Sequence, residues 1–279
     1  MTFETISSSS ARAKGTVCHL ARVVAGAAMT TILAAPAMAG GGSKISCDDA
    51  GPQAPRDITS VTGSNPVSFG VAPPAVDMNL CDIHFHRYAE HRAAGYTEIA
   101  GEGEHKGYVC NGSTPAASHG ESPSHGDGHG CAGIAAGDTV EVHWVFTTCD
   151  VKPGPTLGSC FTDTCKDPQL RVEARVFNLT DDGSGADFAA FRAPSSGKVT
   201  LPEAFEPVEY LGSTTGPSYN DGSCSPFKVT WNVTSACAPL EIGSINGWCG
   251  KDQNPFGEDH AHGVRLLVED AALLSPINR

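Results

Sequence analysis

Two short stretches of this chain alternate polar and apolar residues and carry histidines at the polar positions. They are Cys81–His91 and Val140–Phe146. Successive side chains of a β-strand point to opposite faces of its sheet, so each stretch predicts a strand with one polar and one apolar face. The polar faces carry Asp82, His84, His86, Glu141 and His143. The apolar faces, which are predicted to be core, carry Ile83, Phe85, Val140, Val142 and Trp144.

Three imidazoles supplied by two strands are a suitable donor set for a metal ion. Catalytic zinc is commonly held by three protein ligands, and its fourth position stays open for water. The pattern therefore predicts a zinc centre formed by His84, His86 and His143. Asp82 and Glu141 would then support the ligating rings from outside the coordination sphere. A solvated surface carboxylate is the alternative for Asp82.

These histidine motifs belong to a series of short segments that resembles a known family. In their order along the chain, the segments are similar to the signature segments of the alpha-class carbonic anhydrases. The stretch Cys81–His91 resembles the delta class more closely still. The resemblance extends over roughly residues 80 to 270, and only the short motifs are specific. These motifs are His84–His86, Glu90–His91, Glu141–Trp144, Tyr210–Pro217 and Val229–Trp231.

The resemblance implies a fold and an activity. The fold would be mostly β, a single domain with a central, largely antiparallel sheet, few short helices and disulfide-stapled loops. The activity would be the zinc-dependent, reversible hydration of CO₂ to bicarbonate and a proton, with a zinc-bound hydroxide as the nucleophile. The metal ligands would be His84, His86 and His143, with Glu141 supporting the third. Asp82 stands where the alpha class commonly has a glutamine, so its role is less closely matched.

The resemblance also implies a hydroxyl relay beside the metal. Thr214 aligns with a threonine that accepts a hydrogen bond from the zinc-bound hydroxide and passes its own proton to a glutamate, and Glu90 matches that glutamate. The chain lacks the leucine that commonly separates the serine and the threonine of this motif. A shift of register by one residue would give the role to Thr215. An ordinary Ser/Thr turn is the third interpretation.

No residue matches a family proton shuttle, so the candidates come from the sequence itself. An imidazole has an unperturbed pKa of ~6.5 and suits this task. His91 is one candidate, although it aligns with a structural histidine. The others are His119, His125 and His129, in a His-, Gly- and Ser-rich loop at residues 118–130. A passive solvated insertion and a metal-scavenging tether are the alternative roles for this loop.

Residues 1–39 have the features of a secretory signal peptide. A basic start precedes the apolar run Val23–Leu33, and the small residues Ala37–Ala39 provide a cleavage site. The run is too short to favour a membrane span, and a retained N-terminal anchor is the alternative. Cleavage would leave 240 of the 279 residues and, with three of 18 basic and one of 31 acidic residues removed, a formal charge of −15. Such a charge disfavours nucleic acid and anionic membranes as partners.

The cysteines point to an oxidising compartment. Ten of the eleven lie beyond the predicted signal peptide, and an even number in an exported chain predicts disulfides whose connectivity stays open. A periplasmic or secreted location follows from this interpretation. Cysteine-rich zinc sites are the alternative, which the lack of any Cys-x-x-Cys pair disfavours.

The rest of the chain predicts further strands and little helix. Residues 40–74 are rich in Gly, Ser and Pro and predict an extended lead-in, with a short edge strand from Ile58–Gly63 and Val67–Val71 as its only regular structure. Residues 75–279 would form the catalytic domain. Its further predicted strands are Leu170–Leu179, Phe227–Val233 and Gly263–Val268. His260 and His262, beside Gly263, are interpreted as surface residues or as neighbours of the site, with metal binding as the alternative.

Two other functions compete with the zinc enzyme. The spacing of His84, His86 and Glu90 is also that of the first metal motif of a cupin, which would bind iron or manganese. No convincing second cupin motif follows His143. A non-catalytic, exported metal-binding module on the same fold is the other alternative. The presence of Glu90 and Thr214 beside three candidate ligands argues against it.

Overall fold

The structure is a computed structural model, and it describes residues 46–114, 130–191, 207–216, 218–249 and 254–278. The predicted signal peptide lies outside the described residues. So do His119, His125 and His129 of the His-rich loop. The described part of residues 75–279 is built mainly from strands, as the sequence predicts.

A mixed five-stranded sheet forms the centre of the fold. Its spatial order is β1-β4-β5-β7-β6, and a separate ribbon pairs β2 with β3. The strands are β1 (Asn79–Arg87), β2 (Glu98–Ala100), β3 (Gly107–Val109), β4 (Thr139–Thr147), β5 (Leu170–Thr180), β6 (Val208–Ser213) and β7 (Lys228–Glu241). All neighbours are antiparallel except β5 and β7. The prediction of a largely antiparallel sheet is confirmed, with this one parallel pair.

The central sheet separates two apolar layers. Val142, Trp144 and Phe146 of β4 pack into one layer, and Val145 packs into the other. The predicted alternation is confirmed, because Ile83, Phe85, Val140, Val142 and Trp144 are all buried in the first layer. The histidines of β1 and β4 therefore lie on the second side of the sheet, which also contains the buried aromatic residues Tyr210 and Trp231.

β1 ends earlier than the alternating sequence suggests. Tyr88 has a φ of 69°, in the left-handed region that a bulky side chain rarely adopts. The chain turns there, so Glu90 and His91 leave the strand while remaining buried. This turn brings both residues beside Glu141 of β4, to which their backbone N–H groups donate.

Helices are short and few in the described ranges. The α-helix α1 (Ile242–Trp248) follows β7 directly. Short 3₁₀ turns occupy Cys47–Asp49, Ala75–Asp77, Gly103–His105, Leu157–Cys160, Phe188–Ala190 and Ala271–Leu273. In the part of the chain that is described, no helix has the length and apolarity needed to cross a membrane.

All ten cysteines beyond the predicted signal peptide form disulfides. The pairs are Cys47–Cys224, Cys81–Cys160, Cys110–Cys237, Cys131–Cys249 and Cys149–Cys165. The disulfide prediction is confirmed, and the alternative of cysteine-rich zinc sites is wrong. The pair Cys47–Cys224 ties the N-terminal lead-in to the loop before β7.

Two predicted strands are absent from the described residues. The stretch 58–71 contains no strand, because its backbone bonds singly to separate segments, as when Ile58 N–H donates to the Arg92 carbonyl and Ser64 N–H to that of Ala271. The stretch Gly263–Val268 is also irregular. Only the preceding His262 bridges to β1, while Val268 N–H donates to the Pro55 carbonyl. The alternation of polar and apolar residues in these stretches therefore reflects packing against several separate segments, not membership of one sheet.

Candidate metal centre

Three imidazoles converge on the second side of the sheet. His84 and His143 are paired directly across β1 and β4, and His86 follows on the same face of β1. The ring centroids lie 5.2 Å apart for His84 and His86, 5.0 Å for His84 and His143, and 4.8 Å for His86 and His143. One nitrogen from each ring falls within 4.8 Å of the others, which makes this group a candidate metal site.

Each of the two β1 histidines, His84 and His86, has a hydrogen-bond partner at Nδ1, the ring nitrogen that faces away from the other imidazoles. Oδ2 of Asp82 lies 2.8 Å from Nδ1 of His84, and the carbonyl oxygen of Gly263 lies 2.8 Å from Nδ1 of His86. Asp82 is only 1% exposed, so the surface interpretation of this carboxylate is wrong. Nε2 of His86 is buried and has no hydrogen-bond partner among the described residues. A buried ring nitrogen that lacks a hydrogen-bond partner and faces two other imidazoles is a suitable ligand for a metal ion.

The third histidine is held by a buried carboxylate. Oε1 of Glu141 lies 3.2 Å from Nε2 of His143 and 2.6 Å from Nδ1 of His91. The hydroxyl of Tyr210 lies 2.7 Å from Nε2 of His91, and the backbone N–H of Glu90 donates to Oε2 of Glu141 at 2.6 Å. This chain of contacts explains why His91, Glu141 and His143 also cluster. Glu141, itself hydrogen-bonded to His91, lies against Nε2 of His143, and Nδ1 of His143 is directed towards His84.

Burial and charge set the protonation of these groups. Burial lowers the pKa of His143 to about 4 and that of His86 well below its ordinary value. Burial acts in the same direction on His84, but the hydrogen bond and charge of Asp82 outweigh it and raise the pKa of His84 to about 9. His86 and His143 are therefore neutral near pH 7, which is the form of imidazole that binds a metal ion.

The carboxyl group of Glu90 is buried between the histidines and the C-terminal segment. Its Oε1 accepts the backbone N–H of Arg265 at 3.0 Å. Its Oε2 is buried, has no hydrogen-bond partner among the described residues, and lies 4.0 Å from Nε2 of His143. Burial is the largest cause that raises the pKa of Glu90, and the nearby Glu141 raises it further. One carboxyl oxygen thus remains available for a hydroxyl group.

The predicted relay threonine lies in the loop after β6. Thr214 is buried, and its Oγ1 lies 2.6 Å from Oγ of Ser225. Within the described ranges, neither Thr214 nor Thr215 makes a hydrogen bond with Glu90. The hydroxyl of Thr214 is therefore engaged with a serine that no sequence motif singles out. The assignment of the relay to Thr214 or Thr215 stays a prediction.

The second His-x-His lies at the edge of the centre. The ring of His262 has its centroid 5.7 Å from that of His84, and its Nε2 lies 2.9 Å from Oε1 of Glu258. His260 is exposed and lies beside Asp259, with its Nδ1 2.6 Å from Oδ1 of that residue. The interpretation of this pair as a surface residue and a neighbour of the site agrees with these positions.

Some groups around the centre are missed by sequence reasoning because the sequence carries little signal for them. The carbonyl of Gly263 acts through the main chain, which residue type does not reveal. Gln53 and Ser225 lie far from the histidines in sequence, and Arg265 lies in a stretch that is predicted as a strand. The Pro-rich context of Gln53, in Gly51–Pro55, is the one usable signal, since it predicts a fixed backbone.

Comparison with known families decides the identity of the fold. A model of the delta carbonic anhydrase family matches residues 75–244, which include all three convergent histidines. The chain belongs to the delta carbonic anhydrase family. Membership places it among the carbonate dehydratases, and it decides against the cupin alternative. The geometry agrees, because Glu90 is not part of any candidate metal group among the described residues.

Solved carbonic anhydrases are similar to this delta family member at low identity. One is a hyperthermostable carbonic anhydrase from an active hydrothermal vent chimney, with 14% identity, a TM-score of 0.31 and coverage of 80% of this chain and 87% of that chain. The alpha-carbonic anhydrase from Thermovibrio ammonificans in complex with sulfanilamide has 13% identity, a TM-score of 0.30 and coverage of 77% and 83%. A fungal alpha carbonic anhydrase from Aspergillus oryzae has 15% identity, a TM-score of 0.31 and coverage of 78% and 84%. No curated protein matches the chain significantly.

Proposed function

We propose that this chain is a zinc-dependent carbonic anhydrase, which interconverts CO₂ with bicarbonate and a proton. The observation that supports this proposal most is the convergence of three imidazoles, two of them buried, in a member of the delta carbonic anhydrase family. His84, His86 and His143 would hold the zinc ion. When bound, zinc lowers the pKa of a coordinated water to about 7, a general value for which carbonic anhydrase is itself the standard example, so that attack on CO₂ is feasible at neutral pH.

The protein's own residues would fix the protons around this centre. Asp82 and the Gly263 carbonyl each accept a hydrogen bond from Nδ1 of a β1 histidine. The opposite nitrogen of His86 is then unprotonated, and a zinc ion would take the place of the proton that the raised pKa of His84 keeps on its opposite nitrogen. The charge of Glu141, whose Oε1 lies 3.2 Å from Nε2 of His143, favours a proton on that nitrogen. Two outer acceptors and one nearby carboxylate therefore favour the ring tautomers that direct lone pairs to a common point.

Orientation of the nucleophile would fall to a threonine hydroxyl and Glu90. Thr214 is the proposed residue, with Thr215 as the alternative in the shifted register. The free, buried Oε2 of Glu90 supports a role as acceptor for such a hydroxyl. The contact between Thr214 and Ser225 supports the alternative, because a Thr214 hydroxyl that donates its single proton to Ser225 has none left for Glu90.

The proposal includes an exported location. Five disulfides support folding in an oxidising compartment such as the periplasm or the extracellular space. Residues 1–39 would act as the signal peptide, residues 40–74 as a lead-in, and residues 75–279 as the catalytic domain. The loop histidines His119, His125 and His129 are the proposed proton shuttle.

Metal analysis combined with a CO₂-hydration assay tests the proposal. We expect purified protein to contain one zinc ion per chain, and we expect removal of zinc by a chelator to abolish hydration until zinc is restored. Metal-free protein with full hydration activity would refute the role of the three histidines. Zinc-loaded protein without hydration activity would instead support the non-catalytic module.

A further inference from the structure

Gln53 lies at the centre of a buried network that no sequence motif indicates. Its side chain is fully buried, and both ends of its amide are used. Nε2 donates to the carbonyl oxygens of Gly51 at 3.0 Å and Ser225 at 3.1 Å. Oε1 accepts the backbone N–H of Ser225 at 2.9 Å. The amide therefore binds both main-chain polar groups of Ser225, as a neighbouring strand would.

One branch of this network reaches the Ser-Thr loop after β6. Oγ of Ser225 lies 2.6 Å from Oγ1 of Thr214. The hydroxyl of Ser213 lies 3.2 Å from Oε1 of Gln53 and accepts the backbone N–H of Ala54 at 3.2 Å. Gln53, Ser213, Thr214 and Ser225 each contribute a side-chain oxygen to this branch, and Ala54 contributes its backbone N–H. All five residues are buried. The position of the threonine segment thus depends on Gln53 through two independent serines.

A second branch reaches Glu90. Nη1 of Arg265 donates to Oε1 of Gln53 at 3.3 Å and to the carbonyl of Ala54 at 2.6 Å. The backbone N–H of the same arginine donates to Oε1 of Glu90 at 3.0 Å. Arg265 is 2% exposed, so solvent does not offer its guanidinium an alternative partner. The anchored side chain therefore fixes the main chain that holds Glu90.

We infer that Gln53 is a positioning residue, which fixes the Ser213–Thr215 segment and Glu90 relative to each other. The inference rests on the proposed function, because it assigns the threonine and Glu90 to the orientation of the nucleophile. An amide can donate to a carbonyl and accept from an N–H at one point, which neither a carboxylate nor an apolar side chain can do. Misplacement of reacting groups by about 1 Å can cost roughly a hundred-fold in rate.

Amide hydrogen exchange tests the network without any need for activity. Gln53→Met keeps the length of the side chain and removes all its hydrogen bonds. We expect faster exchange at the backbone N–H groups of both Ser225 and Arg265. The matched control is Gln169→Met, since the amide of Gln169 donates to the Val71 carbonyl and ties the same lead-in elsewhere. Faster exchange at Ser225 alone, or at neither position, would overturn the inference.

Kinetics per bound zinc test the consequence for catalysis. We expect Gln53→Met to retain zinc and the KM for CO₂ while its kcat falls by roughly ten- to a hundred-fold. Gln169→Met should keep the parent kcat. The losses in Gln53→Met and Ser225→Ala should be less than additive in the double variant, because one branch of the network runs from Gln53 through Ser225 to Thr214. An unchanged kcat per zinc, or strictly additive losses, would mean that Gln53 only packs the lead-in.

Two further outcomes keep the inference separate from the proposed function. If Gln53→Met does not fold, Gln53→Glu replaces it, since the carboxylate keeps the acceptor contacts and loses both donor contacts. The carboxylate then faces the carbonyl of Ser225, so kcat per zinc should again fall while the N–H of Ser225, whose acceptor is kept, stays protected from exchange. An unchanged kcat per zinc would again overturn the inference. If the parent protein binds zinc but lacks hydration activity, the proposed function fails, and hydrogen exchange alone decides the role of Gln53.

Discussion

Nε2 of His84 lies 3.2 Å from Nδ1 of His143, at the point where β1 and β4 pair these two residues directly. The opposite nitrogens of the two rings face the carboxylates of Asp82 and Glu141, which favour protons there. When both rings are neutral, the two facing nitrogens are then both acceptors. Two lone pairs at this separation repel each other unless a proton or a metal ion lies between them, so the pair is arranged to bind a cation.

Removal of the third imidazole should therefore remove the metal. We expect His143→Ala to lose stoichiometric zinc and CO₂ hydration together, because two remaining imidazoles make a poor zinc site. Metal content and hydration rate on the purified variant check this. His260→Ala, at an exposed histidine, is the control and should keep both. A zinc-replete, fully active His143→Ala protein would disprove the assignment.

The candidate metal centre is predictable from the sequence because its signal is local. Alternation on two strands places His84 and His143 on one face, and the neighbouring carboxylates follow from the same period of two. The partners that are distant in sequence are not predictable, since Gln53 reaches Ser225 only through the tertiary fold. The failed strand at Gly263–Val268 has the same origin. Its residues satisfy several separate neighbours, so no ladder forms, and the carbonyl of Gly263 is left to hold His86.

The register of the threonine loop can be decided by paired substitutions. If Thr214 acts with Glu90 as a unit, Thr214→Ala, Glu90→Ala and the double variant should show similar losses of kcat/KM. Thr215→Ala should then have little effect. A nearly silent Thr214→Ala beside a strongly impaired Thr215→Ala would assign the relay to Thr215. The contact of Thr214 with Ser225 would then be structural.

Glu141 should control zinc affinity without being a ligand. In Glu141→Gln, the amide would direct N–H groups at His143 or at donors such as the N–H of Glu90. Loss of such an outer partner typically lowers metal affinity by about 10- to 100-fold. Competition with a chelator measures this. Glu173→Gln is the control, because Glu173 is a buried carboxylate of β5 that pairs with Arg171 and Arg175 outside the candidate metal centre.

We expect that control variant to lose stability and to keep the parent zinc affinity. Equal zinc affinities in Glu141→Gln and the parent protein would show that Glu141 does not support His143. Equal losses of zinc affinity in both variants would show a general effect of destabilisation.

The buried hydroxyl of Tyr210 should contribute to stability through His91. Nδ1 of His91 faces Glu141, so its Nε2 is the acceptor for the Tyr210 hydroxyl. Tyr210→Phe leaves that acceptor buried and unpaired, at a cost of about 1–3 kcal/mol in the free energy of unfolding. Chemical denaturation measures the difference. Tyr108→Phe, at a half-buried tyrosine, should cost less, and the reverse order would contradict the role of His91 as acceptor.

Proton release should separate the His-rich loop from a passive insertion. One proton leaves the centre in every hydration cycle, and an imidazole with a pKa of ~6.5 can carry it to buffer. His119, His125 and His129 are the candidates. If they shuttle, replacing all three with alanine should lower kcat in dilute buffer and leave kcat/KM nearly intact, since the step follows the chemistry on CO₂. Concentrated imidazole should restore kcat, while His260→Ala should need no rescue. A kcat that stays unchanged across buffer concentrations would instead identify the loop as a solvated insertion.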